Sequence, residues 1–122
     1  GEEMTVEELA EVGDKALDAV YGYGLAYKGT FGEAANYGTA KAVLEELEKG
    51  EQDIEKLAAA AHQGWSAVAT TFDDPVYLVK PEKKLQRLKL AEMSYEELSE
   101  EEKEKDRVVA RAIFLHYKNQ QA

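Results

Sequence analysis

The chain carries one pattern twice. Val6-Glu7-Glu8-Leu9-Ala10, followed by Leu17-Asp18-Ala19-Val20, is echoed by Ile54-Glu55-Lys56-Leu57-Ala58 and Trp65-Ser66-Ala67-Val68 at the same internal spacing. A second echo follows each block: Ala40-Lys41-Ala42-Val43-Leu44 and Ala110-Arg111-Ala112-Ile113-Phe114. The repetition predicts two helix–loop–helix units, residues 6–50 and 54–119, the second with the longer loop. A unit of that size cannot bury its own apolar stripe, so the two must close face to face. The seam between them is the natural place for a ligand or partner.

At 122 residues the chain supports a single domain, 1–122, with one core. Its formal net charge of −10 opposes a phosphate backbone, which argues against nucleic-acid polymers. Such a surface suits solubility, and alternatively acidic contact with the basic groove of another protein. No apolar run is long enough to span a bilayer, and cysteine is absent. These features predict a cytoplasmic location away from membranes. Alanine-rich faces leave room for a homodimer without demanding one.

Helical signals dominate, so the expected fold class is all-α. Thr5 with Glu8 has capping-box spacing, and Val6, Leu9, Val12, Ala16, Leu17 and Val20 recur at helical intervals. Residues 22–38 interleave five glycines with Tyr23, Tyr27, Phe31 and Tyr37 and read as a loop or a broken helix. Thr39 would then cap a second helix running to Lys49, with Gly50 stopping it in the left-handed region. Asp53 opens a third helix, which ends before Pro75. Val76-Tyr77-Leu78-Val79 is strand-like, but a lone strand has no pairing partner, so it reads as extended loop. Pro81 starts a short helix, and Ser94-to-Glu97 and Ser99-to-Glu102 repeat the capping spacing. Along the last helix Val108, Val109, Ala112, Ile113, Leu115 and His116 form the expected inner face, with fraying from Lys118.

The second half resembles the RyR domain, the repeat of ryanodine-receptor channels that also occurs free-standing in bacteria and their phages. Leu57-Ala58, His62 and Trp65 are similar to the family's Leu-Ala…His-x-x-Trp helix start. Tyr95…Leu98-Ser99-Glu100-Glu101-Glu102-Lys103-Glu104-Lys105-Asp106-Arg107 looks like its Tyr-x-x-Leu…Glu-Glu-Lys…Asp-Arg segment. The family's Gly-Trp-x-Tyr-Gly loop is missing after Trp65, where Phe72-Asp73-Asp74-Pro75 stands; Gly24-Leu25-Ala26-Tyr27 is a partial version in the first half. Asp14 and Leu17 occupy the first-half positions of His62 and Trp65. The resemblance implies a non-catalytic module made of two pseudo-repeated halves that binds a small ligand, nucleotides among the candidates, or a protein partner. Phage carriage would imply a role against host defences.

His62 and Trp65, three residues apart, share a helix face and could offer a stacking plane beside a hydrogen-bonding imidazole. The plainer alternative is that Trp65 anchors the core while His62 caps a neighbouring carbonyl. Tyr23 and Tyr27 in the glycine–aromatic loop could stack on a ring, or could simply fill space between helices. Lys80, Lys83, Lys84, Arg87 and Lys89 form a basic island that reads first as a solvated face. Arg107 is expected to make a structural salt bridge and, with Tyr95, to border the seam. The ligand-binding set is therefore His62, Trp65, Tyr95, Tyr23, Tyr27 and Arg107, with no catalytic residue, metal ligand or cofactor. A magnesium-dependent all-α pyrophosphohydrolase is the enzymatic alternative. Glu45-Glu46-Leu47-Glu48-Lys49 puts lysine where its metal-binding helix needs a carboxylate, and Glu102 to Asp106 is one residue too long.

Overall fold

The computed structural model describes residues 4–74 and 79–121. Five helices appear in order: α1 Val6–Tyr21, α2 Phe31–Glu48, α3 Ile54–Thr71, α4 Pro81–Glu92 and α5 Glu100–Gln121, with a 3-10 turn at Tyr95–Glu97 before α5. The fold is all-α, with no strand among the described residues. The strand-like stretch at 76–79 lies mostly outside them.

Local chemistry sets most of the helix ends. Thr5 Oγ1 accepts from the Glu8 amide at 3.1 Å, Asp53 Oδ1 from Glu55 at 2.8 Å and Ser99 Oγ from Glu102 at 3.2 Å. Ser94 N–H donates to the Glu97 carboxylate at 2.9 Å, one arm of the expected box. At Gly50, φ is +94°. The Gly50 amide bonds Leu47 O at 2.9 Å and the Glu51 amide bonds Glu46 O at 3.0 Å, the paired bonds of a Schellman stop.

The second helix departs from expectation. It begins at Phe31, not at Thr39, and its cap is Thr30. Gly32 and Gly38, read from sequence as helix breakers, lie inside it. The reason is tertiary. A Cβ placed on Gly64 of α3 would stand 2.3 Å from Gly38 O, and one placed on Gly38 would stand 2.8 Å from Gly64 O. The two backbones cross in contact, and only hydrogen-sized side chains permit it. Burial around that crossing outweighs the roughly 1 kcal/mol that each interior glycine costs a helix.

The four largest fully buried side chains are Leu9, Val43, Leu57 and Ile113, one each from α1, α2, α3 and α5. Leu9 and Leu57 are echo positions, as are Val43 and Ile113, and as are Ala40 and Ala110, all at 0% exposure. Gly13 and Ala61, also equivalent, are both buried. By contrast α4 buries no residue and packs on α3. Two expected core positions are corrected. Val20 is 59% exposed because nothing covers the last turn of α1. Leu115 is 60% exposed because it lies about 200° around the helix from Ile113. The expected fraying is corrected too, since α5 stays helical to Gln121.

The glycine crossing yields a direct prediction. Gly64→Ala adds a methyl group that meets backbone, so it should lose about 2–4 kcal/mol of stability in denaturant unfolding, against the small gain that alanine brings to an open helix. Equal or higher stability would show that the helices are not in contact there.

Candidate functional site: the seam cavity

A cavity of about 360 Å³ lies between the two hairpins. Tyr23 comes from the loop after α1, Phe31, Asn36 and Thr39 from α2, His62 and Trp65 from α3, and Glu102, Lys105 and Asp106 from α5. The structure thus brings three of the six expected ligand residues, Tyr23, His62 and Trp65, to one cavity.

The plainer alternative holds for His62 and fails for Trp65. The His62 side chain is 6% exposed, and its Nε2 lies 2.7 Å from Met93 O. A carbonyl can only accept, so Nε2 carries the proton and the ring caps the end of α4. Trp65 is outside the buried core and only part-covered. It meets Phe31 edge-on at 5.9 Å and lies nearly parallel to the His62 ring at 6.1 Å. Gly64 explains the position: where α3 touches α2 there is no room for an indole, so the next residue is turned into the seam.

Asp106 is the residue that sequence reasoning missed. Its carboxyl, 19% exposed, sits 3.8 Å from His62 Nδ1, beyond hydrogen-bond reach. No described side chain or amide donates to it, and no buried side-chain nitrogen or oxygen among the described residues is both sealed and unpartnered. The Asp106 carboxyl and His62 Nδ1 therefore open on the cavity with hydrogen-bonding capacity unused. Burial, reinforced by the Glu102 carboxylate and offset by Lys105, pushes Asp106 up to about 7. A signal was present in the sequence, because Asp106 falls on the line of Val109, Ala110 and Ile113 that α5 buries.

The other three expected residues lie elsewhere. Tyr95 Oη donates to Glu55 Oε1 at 3.0 Å. Arg107 grips the same carboxylate in bidentate fashion at 2.7 and 3.0 Å and reaches Glu100 at 3.0 Å. The Arg107 bonds hold Glu55 below the usual carboxylate range, and burial together with Glu55 pushes the Tyr95 phenol up to about 12. This triad ties α3 to the 3-10 turn and α5, the structural role expected for Arg107. Tyr27 is 81% exposed and lines none of the cavities described. The loop aromatics do not fill space between helices: Tyr23 is 57% and Tyr37 42% exposed.

A larger hollow of about 610 Å³ lies among Glu7, Glu11, Asp14, Glu33, Leu25 and Tyr37. Two of its carboxylates already hold the loop: Asp14 accepts from the Ala26 amide at 3.0 Å and Glu33 from Gly29 at 2.9 Å. Asp14 thus fixes the connection between α1 and α2, while His62 holds the end of α4. Among the described residues no group of three or more carboxylates and histidines is arranged to hold a metal ion, and no helix is long and apolar enough to cross a membrane.

No family model, curated protein or solved structure matches the chain. Leu57 and Ala58 are at 0% exposure, Tyr95 and Leu98 at 6%, and His62 and Asp106 face each other across the seam.

The Asp106 carboxyl gives stability a defined pH dependence. Its neighbours are His62 on α3, Glu102 and Lys105 on α5 and Tyr23 in the loop. Unfolded, it titrates near its ordinary 3.8; folded, near 7. The folded state holds the extra proton between those values, so this contribution is full below the lower one and is lost as pH rises through the upper. Asp106→Asn should therefore exceed the parent protein's stability by about 2–4 kcal/mol near pH 8, the gap closing toward pH 4, in paired thermal unfolding. A gap that stays constant with pH contradicts the buried carboxyl.

Proposed function

We propose that this protein is a non-catalytic binding module that takes a small planar ligand in the seam between its two hairpins. The observation that carries the reading is the juxtaposition of a part-exposed indole with two unused polar groups. Trp65 and Tyr23 offer faces for a flat ring, while the Asp106 carboxyl and His62 Nδ1 offer hydrogen bonds in its plane. Below its raised pKa, Asp106 can donate as well as accept, which suits the mixed donor and acceptor edge of a nucleobase or similar heterocycle. The RyR resemblance adds a second line of support, since it implies a non-catalytic module that binds a small ligand or a protein partner.

A perturbed carboxyl beside a histidine also suits general acid–base chemistry. Here His62 Nε2 donates to the Met93 carbonyl, so it cannot act as a base toward Ser66 Oγ, 3.4 Å away and off the cavity wall, and the cavity's Lys105 is paired with Glu102 at 3.1 Å.

Trp65 is the chain's single tryptophan and borders the seam, so its fluorescence responds to a ligand bound there. Titration with a panel of nucleobases and nucleosides should give saturable quenching by at least one of them, with a matching rise in Tm. Trp65→Leu, which copies the residue at the equivalent Leu17, should stay folded and weaken that ligand about tenfold, the scale of one lost ring stack. A panel without saturable quenching, or a Trp65→Leu protein of undiminished affinity, contradicts the proposal.

A further inference from the structure

We infer that the hollow beneath α4, which shares Phe31, Trp65 and Leu90 with the seam cavity, is a second ligand site, selective for an organic anion with a flat apolar body. It encloses about 550 Å³ among Phe31, Trp65, Phe72, Leu90, Lys83 and Arg87, and its walls are predominantly apolar. Phe31 meets Trp65 at 5.9 Å and Phe72 at 5.8 Å, both edge-on, so three rings form one continuous aromatic wall. A volume of this size suits a bicyclic or slightly larger molecule.

The charge in this wall is unlike that of the rest of the molecule. In a chain of net charge −10, two cations gather on one carboxylate and a third lines the same hollow. Asp74, with its side chain 5% exposed, accepts from Arg87 Nη1 at 2.7 Å, and Lys84 Nζ lies 3.9 Å away. Lys83 lines the hollow without an ion pair among the described residues. Positive charge is left over, and it faces the cavity.

Arg87 is the fixed element. Its side chain is only 10% exposed, and the guanidinium carbon lies 3.6 Å from the Phe31 ring centroid, a close cation–π stack. That stack and the Asp74 bond orient the planar head before any ligand arrives, so little entropy is lost on binding. One of its N–H groups serves Asp74, and no other described residue accepts from the rest. Since no buried side-chain nitrogen among the described residues is left both sealed and unpartnered, the free edge of the guanidinium opens on the hollow. A carboxylate or phosphate can accept from that edge and approach Lys83, while its ring lies along Phe72 and Trp65. The basic island, read from sequence as a solvated face, is thus divided: Lys80, Lys83 and Lys89 are solvent-exposed, but Arg87 turns inward.

The test compares 2-naphthoate with neutral 2-naphthamide, which have nearly the same shape, by calorimetric titration at low ionic strength; phenyl phosphate against phenol asks whether phosphate serves as well as carboxylate. Naphthoate should bind about tenfold more tightly than the amide, the scale of one charge-assisted hydrogen bond, and added salt should shrink the difference. Lys83→Glu changes an exposed side chain, so its Tm should match the parent's while the naphthoate advantage disappears. Asp106→Asn, in the seam, should leave naphthoate affinity unchanged. Equal affinity for acid and amide, no binding of either, or an advantage that survives Lys83→Glu overturns the proposal. Loss of naphthoate binding in Asp106→Asn alone would place the ligand in the seam and likewise overturn it.

Discussion

The contact of Gly38 with Gly64 is the constraint on which the rest of this molecule depends. Two 18-residue helices from different halves of the chain meet there with backbone against backbone. Small residues extend the contact on either side: the Cβ that Gly64 lacks would stand 3.0 Å from the Ala42 methyl group, and that of Gly38 would stand 2.7 Å from Val68. Dispersion between close-packed surfaces is strong in sum, and a helix pair this near excludes any large side chain from its line of contact. The apolar bulk is consequently displaced to the flanks. On one flank it forms the core of Leu9, Val43, Leu57 and Ile113; on the other it leaves Trp65 and Phe31 bordering open space.

Two features of the seam follow from that displacement. The indole stands one residue after the crossing glycine and becomes a wall instead of a plug. Asp106 arrives on the buried face of α5 opposite His62, which is already committed through Nε2 to the Met93 carbonyl. Neither the Asp106 carboxyl nor His62 Nδ1 finds a hydrogen-bond partner among the described residues. Desolvation without compensating hydrogen bonds is what raises the carboxyl. A protein keeps a buried polar group in such a state at a cost in stability, and a binding site is the commonest place where that cost is recovered. The Tyr95–Glu55–Arg107 triad is the opposite case: every member is satisfied, and its role ends with joining α3 to α5.

The contrast between what could and could not be read from sequence is physical. Thr5, Asp53, Ser94 and Ser99 were placed correctly because a cap acts within three residues of itself. The echo positions Leu9 and Leu57, or Val43 and Ile113, were found because burial follows helical period. Thr39 was mistaken for a cap because Gly32 and Gly38 were judged by local propensity alone, whereas the reason for Gly38 is Gly64, on another helix. Glycines set among Ala35, Thr39 and Ala42 on one helix, and beside Ala60 and Ala61 on another, were the available sign of a close crossing. Of the site, Tyr23, His62 and Trp65 were recovered, while Asp106 entered only beside Arg107 in the segment that carries the resemblance. Adjacent residues on a helix point about 100° apart, so one faces the seam and the other the Glu55 carboxylate.

If the glycine crossing organises the fold, it should also be the last part of it to open. Native-state hydrogen exchange measures this residue by residue. The amides of α2 and α3 on both sides of Gly38 and Gly64 should exchange only through global unfolding, while those of α4, which buries no side chain, exchange through a smaller opening that leaves the crossing intact. Crossing amides that exchange together with α4, or ahead of it, would mean that the two hairpins are held by something other than that contact.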